Sequence, residues 1–374
     1  MAIRRVSKST PKTSKNAGRS AVFADNVRSL LERDHLSQRE AADEIGVSYK
    51  WVRRLAHHGL VWPDKRTSED LGRFAALLGV SPDALWDGNL MDQPQIPDNY
   101  VLIKWTGGKR RQADEIISHF PEQIRTYYEP FLGGGAVLLR LLDSGISVER
   151  YRCSDLCEPL IQIWQTVMKE PRRLASHYEE TWHRLNEKGK PVYDAIRLRF
   201  NSHRDPCDFF FLLRCCRIGL VRFNRRGEFT SAFGRIGLPP DQVRRLIIEV
   251  GKKLRDVDVE FFVRDCQTIR PKVGDFMYLD PPYRLKHPSV MYSGGFDHQK
   301  LFEWLRKQKC GYAMSLNGFF GEEDHRMDVP EELYDQEHLI DSGVSAFRRM
   351  GGKPTPDQKD ALYVRRGATC VAMG

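Results

Sequence analysis

The stretch FMYLDPPY, residues 276–283, joins an apolar run to an aspartate, two prolines and a tyrosine. A short apolar run that ends at proline is typical of a strand buried on both faces of a parallel sheet. In open α/β sheets ligands bind beyond the carboxyl ends of such strands, so we expect Asp280 at the ligand-binding edge. An Asp-Pro pair also opens ordinary turns, and a tyrosine after it can serve packing alone. A catalytic interpretation therefore needs support from the rest of the chain.

Strand-like runs after residue 100 indicate an α/β domain. They are TYYEPFL, YRCSD, VEFFVRD, DFMYLD, CGYAMSL and ALYVRR. Helical stretches separate most of them, as in a doubly wound, Rossmann-like sheet. The segment between Asp155 and Asp280 is helical and basic. We therefore predict a domain over residues 100–374 that carries an insertion at about residues 160–258.

Composition and charge limit the class of protein. The chain has 374 residues, of which 41% are hydrophobic and 29% charged, which suits a globular protein of two or three domains. Its net charge of +9 favours a polyanionic partner. Eight scattered cysteines without paired C-x-x-C spacing favour reduced thiols in the cytoplasm and argue against a disulfide framework or a metal site. We predict no membrane partner, and a basic flexible arm over residues 1–20.

Residues 21–90 are predicted to form a small all-α domain. Within LSQREAADEIGVSYKWVRRL, residues 36–55, the spacing of Ala42, Gly46 and Val52 lets two short helices cross closely around a glycine turn. The pattern resembles the Cro/repressor-type helix-turn-helix family; a helical pair used only as a scaffold is the alternative. The resemblance implies that DNA faces Gln38, Ser48, Tyr49, Lys50, Arg53 and Arg54. The proline-bearing segment MDQPQIPDN, residues 91–99, is predicted to be a linker.

A second motif, EPFLGGGAVLLRLL at residues 129–142, has the strand, glycine turn and helix with which a backbone approaches a cofactor closely. Asp155 ends the next predicted strand, where a carboxylate can bind ribose hydroxyls. This pair fits NAD as well as S-adenosylmethionine.

The order of five motifs resembles the Dam family of DNA adenine methyltransferases, over about residues 101–366. The motifs are KWTGGK (104–109), EPFLGGGAV (129–137), CSDLCEPL (153–160), GLVRFNRRGEF (219–229) and YLDPPY (278–283). The resemblance implies a methyltransferase fold and S-adenosylmethionine as the cofactor. It also implies cofactor contacts from Trp105, Lys109, Asp155 and Asp280, with Phe131, Gly133 and Gly135 forming the turn against it.

The DPPY segment has chemistry that suits transfer to an amino group. The lone pair of adenine's amino nitrogen is delocalised, so an acceptor such as Asp280 must hold its hydrogens and orient it. Pro281 and Pro282 stiffen the backbone, so that the Pro281 carbonyl can serve as a second acceptor. Tyr283 offers a ring on which an extruded base can stack.

The basic segment LLRCCRIGLVRFNRRGEF departs from the Dam pattern. Arg222, Asn224 and Gly227 keep the pattern, whereas Arg217 and Ile218 stand where an aromatic residue and asparagine are usual. The target sequence therefore does not carry over from the family. Contact with nucleic acid is predicted for Arg217, Arg222, Asn224 and Arg225.

We therefore predict a site-specific adenine methyltransferase that acts on double-stranded DNA in the cytoplasm, in association with the nucleoid. Its helix-turn-helix would add DNA binding or repress its own promoter, and a cognate restriction endonuclease is a possible partner. Two alternatives stay open at this stage: a transcription repressor with a vestigial methyltransferase domain, and a cytosine 4-amino methyltransferase. The sequence leaves the DNA target and the oligomeric state undetermined.

Overall fold

The computed structural model describes residues 12–34, 36–60, 65–78, 80, 82–86, 101–283, 296–342 and 357–367. The chain divides into two units. The first comprises Met1–Asp98 together with Pro240–Glu249, and the second comprises Asn99–Pro239 and Val250–Gly374. The predicted linker, residues 91–99, lies outside the described residues.

The first unit is helical in its N-terminal part. Its elements are α1 (Lys12–Arg33), α2 (Gln38–Ile45), α3 (Tyr49–His58), α4 (Lys65–Leu77) and a 3₁₀ helix, Pro82–Trp86. Since α1 begins at Lys12, the prediction of a flexible arm is wrong for residues 12–20, while residues 1–11 lie outside the described part of the chain. A run of small and polar residues lowers helix propensity but does not prevent a helix whose apolar face packs. Phe23 and Val27 supply that face and are fully buried.

Local sequence signals position α2 and α3. Ser37 and Glu40 form a capping box at the start of α2, and Gly46 ends it with a left-handed backbone, φ 71°. The Ser48 hydroxyl then accepts the backbone N–H of Trp51 at 3.3 Å and caps α3. Five positions of this segment were predicted to face inward: Ala41, Ala42, Val52 and Leu55 are buried, and Ile45 is half-buried.

The second unit is built on one mixed sheet. Its strands are β1 (Gln123–Glu129), β2 (Ser147–Asp155), β3 (Val259–Val263), β4 (Phe276–Leu279), β5 (Gly311–Phe320), β6 (Glu323–Asp324), β7 (Gln336–Asp341) and β8 (Gln358–Arg365). The strand order is β3-β2-β1-β4-β5-β8-β7, and β6 pairs with β5. The first five strands in this order are parallel, whereas β8 runs antiparallel between β5 and β7. All six predicted strands are present; β6 and β7 were not predicted.

Helices fall between the strands and in the insertion. Those nearest the sheet strands in sequence are α5 (Ala113–Ser118), α6 (Ala136–Leu142), α7 (Glu158–Lys169) and α12 (His298–Leu305). The insertion contains α8 (Pro171–Lys188), α9 (Lys190–His203), α10 (Pro206–Cys215) and α11 (Pro240–Arg255). Between α10 and α11 the chain forms a hairpin with antiparallel bridges from Cys216 to Phe233 and from Phe223 to Phe229.

Apolar residues of the central strands form the core of the second unit. Every residue of β4 is buried, as expected for a strand with both faces covered. Trp164 of α7 is fully buried and stacks on Phe261 of β3, with ring centroids 5.6 Å apart. Among the described helices, none combines the length and apolarity that crossing a lipid bilayer requires.

Candidate active site

The DPPY segment follows directly from β4 at the carboxyl edge of the parallel strands. Pro281 is buried and Pro282 is exposed. The Pro282 carbonyl lies 3.0 Å from Nε2 of His298, which fixes this end of the segment. Within the described residues the Pro281 carbonyl has no hydrogen-bond donor. The Pro282 carbonyl is therefore engaged by His298, whereas the Pro281 carbonyl keeps its capacity to accept hydrogen bonds among the described residues.

A buried lysine joins this segment to the rest of the edge. Lys109 is 6% exposed, and its Nζ lies 3.1 Å from Oδ1 of Asp280 and 3.1 Å from Oδ2 of Asp360. The Tyr283 hydroxyl donates to the same Oδ2 at 2.9 Å and also contacts the Lys109 ammonium. Nε2 of Gln112 donates to that Oδ2 at 3.0 Å. The ammonium also lies 4.3 Å from the Tyr283 ring centroid, a cation–π distance.

The charges of this cluster follow from its burial. Burial raises the pKa of Asp280 to about 6, although Lys109 opposes the shift; Asp360 adds to it. Burial also works against the charge of Lys109, but Asp280 and Asp360 outweigh it and raise the lysine's pKa. At neutral pH, Lys109 is therefore a cation and Asp280 mostly a carboxylate.

A third carboxyl group, Glu129, lies at the end of β1 and is 2% exposed. Its Oε2 accepts the Tyr127 hydroxyl at 2.8 Å. Burial is the main cause that raises the pKa of Glu129 to about 8, and the charge of Asp280 adds to it. Glu129 is therefore mainly protonated at pH 7, so that, of Glu129 and Asp280, Asp280 carries the negative charge.

The glycine turn after β1 is tightly packed. Gly133 and Gly135 have left-handed backbones, with φ 49° and 63°. A Cβ at Gly133 would lie 2.9 Å from Cδ1 of Trp105, and one at Gly135 would lie 2.4 Å from the Trp164 ring. Only glycine suits either position, because any other residue would be strained and would displace a tryptophan.

Asp155 ties this turn to the end of β2. Its Oδ2 accepts the backbone N–H of Gly133 at 3.0 Å, and its Oδ1 accepts that of Cys157 at 2.9 Å. Burial raises the pKa of Asp155, although these backbone N–H groups oppose the shift. The carboxylate thus supports the turn, and the residue is half-buried.

These features fit S-adenosylmethionine. The glycine turn lies directly after β1 at the carboxyl edge, Asp155 offers acceptors for ribose hydroxyls, and half-buried Trp105 offers an aromatic face. Phe131, also half-buried, packs edge-on against Phe296 with ring centroids 5.6 Å apart. The structure thus brings Trp105 to Gly133, Gly133 to Asp155, and Lys109 to Asp280.

The hairpin of the insertion presents arginines to solvent. Arg217, Arg222 and Arg225 are exposed, and within the described residues their guanidinium groups have no hydrogen-bond or ion-pair partner. Asn224 differs: its Oδ1 accepts the backbone N–H groups of Arg226 and Glu228, each at 2.9 Å. Asn224 therefore shapes the turn that projects the arginines.

The residues predicted to face DNA in the first unit lie on and before α3. Ser48, Tyr49, Lys50, Arg53 and Arg54 are exposed, whereas Gln38 is half-buried. Within the described residues, Lys50, Arg53 and Arg54 have no hydrogen-bond or ion-pair partner for their side chains. Tyr49 lies under the Arg39 guanidinium at 5.5 Å.

Sequence reasoning missed three residues of the cluster: Asp360, Gln112 and Glu129. Asp360 stands one residue before the predicted strand ALYVRR, and Glu129 begins the motif EPFLGGGAV. An acid placed next to an apolar run is a usable signal, because its side chain lies near the strand end. Gln112 carried no comparable signal.

Comparison with known proteins identifies the family. A profile of the D12 class of N6 adenine-specific DNA methyltransferases matches residues 105–342. The chain is 32% identical over 201 residues to a type II methyltransferase of Methanocaldococcus jannaschii, M.MjaIII, covering 49% of this chain and 68% of that protein. It is 26% identical to the type II methyltransferase M1.LlaDCHI of Lactococcus lactis, covering 67% of this chain and 89% of that protein.

A third relative is a DNA adenine methylase of Vibrio cholerae, 29% identical over 189 residues, which covers 49% of this chain and 65% of that protein. The residues matched by the D12 profile include Trp105 through Tyr283, where Lys109 meets Asp280 and Asp155 supports the glycine turn. The chain therefore belongs to the D12 class of N6 adenine-specific DNA methyltransferases, for which S-adenosylmethionine is the cofactor.

Proposed function

We propose that this methyltransferase acts on adenine at a specific site in duplex DNA, with Asp280, Pro281 and Tyr283 as the residues that contact the target base. The observation that carries the proposal is the buried Lys109, which lies 3.1 Å from Asp280, next to the Pro281 carbonyl, for which the described residues provide no donor. This arrangement presents two acceptors on a stiff backbone, as an amino group with two hydrogens requires.

The residues act by orientation. S-adenosylmethionine supplies a methyl group bound to a positively charged sulfur. Asp280 and the Pro281 carbonyl hold the two amino hydrogens of adenine and thereby turn the nitrogen lone pair toward the methyl group. Tyr283 stacks on the extruded base and replaces part of the stacking that the base had in the duplex, worth ~1–3 kcal/mol per base. The nitrogen becomes acidic once methylated, and the nearby Asp280 carboxylate accepts its proton.

Trp105, Lys109, Phe131, Gly133, Gly135, Asp155 and Asp280 are proposed to form the cofactor site. Asp155 would bind the ribose hydroxyls, and Trp105 would pack against the ligand beside the glycine turn. Lys109 would fix the position of Asp280, which is proposed to border both the cofactor site and the base site.

The insertion hairpin is proposed to contact the duplex. Arg217, Arg222 and Arg225 are exposed cations without protein partners in the described part of the chain, so they are free to pair with phosphates or base edges. Asn224 supports this surface by holding the turn rather than by reading a base.

The first unit is proposed to be a second DNA-binding element of the Cro/repressor type. Its α3 begins with exposed Ser48, Tyr49 and Lys50, which are the N-terminal positions that a recognition helix directs at base edges, with Gln38 at the start of α2 nearby in sequence. Arg53 and Arg54 follow on α3 as exposed cations suited to phosphate.

Single-molecule sequencing of DNA from cells that express the full chain tests the main proposal. We expect N6-methyladenine in one defined motif, and none with Asp280→Asn. The control is Asp275→Asn, since Asp275 is also buried but pairs with Arg125 at the amino end of β4. Methylated cytosine, or no modified base with the wild-type chain, would contradict the proposal.

The role of the first unit has its own test. Arg53→Ala with Arg54→Ala should leave the methylated motif unchanged, since the residues of the proposed cofactor and base sites lie elsewhere. Binding of the full chain to a second DNA site should weaken, and the slope of log affinity against log salt should flatten by ~0.9 for each phosphate that the variant no longer neutralises. Arg150→Ala, an exposed arginine on β2, is the control. An altered methylation motif would instead mean that both elements read one site.

A further inference from the structure

Asp360 occupies an unusual place in the sheet. It lies near the start of β8, which runs antiparallel to β5, so this end of β8 is at the carboxyl edge of the parallel strands. Asn317 of β5 and Ile340 of β7 flank it in register. The residue is 5% exposed. A buried carboxylate in the middle of a sheet is costly unless donors surround it.

Three donors converge on one oxygen of this side chain. Oδ2 accepts from Tyr283 at 2.9 Å, from Gln112 at 3.0 Å and from Lys109 at 3.1 Å. Two of these donors belong to the proposed active site, and one of them, Lys109, also contacts Asp280. Asp360 thus contacts Tyr283 directly and is linked to Asp280 through the ammonium group of Lys109.

We propose that Asp360 is a positioning residue for methyl transfer, which fixes the Tyr283 ring and the Lys109 ammonium so that Asp280 and the ring meet the adenine together. The inference rests on the proposed roles of Asp280 and Tyr283. It adds to the residues proposed to support the reaction one that lies 77 residues after Tyr283 in the sequence.

The geometry gives Asp360 two effects. The hydroxyl bond limits rotation of the Tyr283 side chain, so the ring keeps one plane for stacking. The second carboxylate also shares the ammonium of Lys109, which would otherwise pair with Asp280 alone. Asp280 therefore keeps more of its acceptor strength for the amino hydrogens of the base.

A residue that served folding alone would leave the kcat of the folded protein unchanged. The charged and titratable groups around Asp280 are Lys109, Tyr283, Asp360 from β8, Glu129 from β1 and Tyr278 from β4. Of these, Asp360 and Glu129 are carboxyl groups, and Asp360 raises the pKa of Asp280. Removing its charge should therefore move the acid limb of the rate profile to lower pH, which shows that Asp360 acts on Asp280 in the working enzyme, while the fall in kcat of the folded variant separates the two roles.

The experiment compares the wild-type chain with Asp360→Asn and the control Asp275→Asn. Initial rates of tritium transfer from labelled S-adenosylmethionine to DNA are measured between pH 5 and pH 8. For Asp360→Asn we expect kcat to fall by roughly tenfold or more, and the acid midpoint to shift downward. For Asp275→Asn we expect the wild-type rate and midpoint. A wild-type kcat in Asp360→Asn, or a slower rate with an unmoved midpoint, would overturn the proposal.

If Asp360→Asn does not fold, Gln112→Ala tests the same contact, because it removes one donor to Oδ2 and changes no charge. We expect a kcat several times lower in this variant, with circular dichroism and melting temperature close to wild type, and an unchanged kcat would overturn the proposal. Failure of the proposed function is distinguishable, since the wild-type chain would then methylate no adenine, or Asp280→Asn would stay active.

Discussion

The rate of methyl transfer should fall as the pH drops below about 6, because protonation removes the acceptor that Asp280 is proposed to offer to the amino hydrogens. The magnitude follows from burial at the end of β4, which raises the pKa of Asp280 from 3.8 to about 6. With that pKa, the ionised fraction is about 0.9 at pH 7 and about 0.1 at pH 5, so kcat/KM should drop about tenfold over this interval. An aspartate with an ordinary pKa would lose only about 6% of its ionised form.

Steady-state methyl transfer to a duplex that contains the target motif measures this profile, with circular dichroism at each pH to exclude unfolding. Glu129→Gln is the matched control: Glu129, with a pKa of about 8, is protonated throughout the acid range, so its replacement should leave the acid midpoint near 6. A rate that stays level down to pH 5, or a midpoint close to 4, would refute the assignment of Asp280 as the buried acceptor.

Three further predictions concern the cofactor, stability and DNA. Asp155→Ala should weaken S-adenosylmethionine binding measured by calorimetry, since a charge-assisted hydrogen bond is worth ~1.5–3 kcal/mol; unchanged affinity would contradict the proposed role. The folded chain holds a proton on Glu129, with a pKa of about 8, that the unfolded chain releases above about 4.5, so this group lowers stability as the pH rises between these values. In urea titrations, the unfolding free energy of Glu129→Gln minus that of the wild type should therefore increase by about 3 kcal/mol from pH 5 to pH 8. The same value of this difference at both pH values would refute the prediction. Arg225→Ala with Arg226→Ala should weaken binding to the methylation target and flatten its salt slope by ~0.9 for each phosphate that these arginines neutralise in the wild-type chain; an unchanged slope would exclude phosphate binding by the hairpin.

Most of the strands and the glycine turn could be predicted from the sequence because they depend on residues that are neighbours along the chain. Each apolar run was bounded by residues that end a strand, and the turn at Gly133 and Gly135 has the left-handed backbone that glycine adopts most readily, which is a local requirement. The same holds for the glycine turn between α2 and α3, where Ser37, Gly46 and Ser48 are the caps.

The contacts of Asp360 around Lys109 could not be predicted, because the residues that make them are distant in sequence. Asp360 lies 77 residues from Tyr283 and 251 residues from Lys109, and no periodicity links such positions. Its place at the carboxyl edge depends on β8 inserting antiparallel between β5 and β7, and β7 itself was missed. The contact between Asp360 and the ammonium group of Lys109 therefore depends on the strand order, which the local sequence does not reveal.

Asn224 shows a different limit of sequence patterns. It fitted a motif associated with DNA contact, yet its amide oxygen accepts two backbone N–H groups and its Nδ2 donates to Glu228 at 2.6 Å. An asparagine whose side chain closes its own turn has few polar groups left for a base. The motif thus encodes the shape of the hairpin, and the exposed arginines beside it carry the charge.

The charge of the cluster suits the reaction expected at it. At neutral pH, Lys109 stands between two carboxylates, Asp280 and Asp360, while Glu129 is mainly protonated, so one negative charge is left uncompensated. Methyl transfer to an uncharged amino group places positive charge on the nitrogen before its proton leaves. A buried site with one excess negative charge, held in place before the reaction, stabilises that charge without reorganisation. A third ionised carboxyl, at Glu129, would raise the pKa of Asp280 and lower its ionised fraction at neutral pH. The burial of Glu129 therefore has a consequence for the reaction as well as for folding.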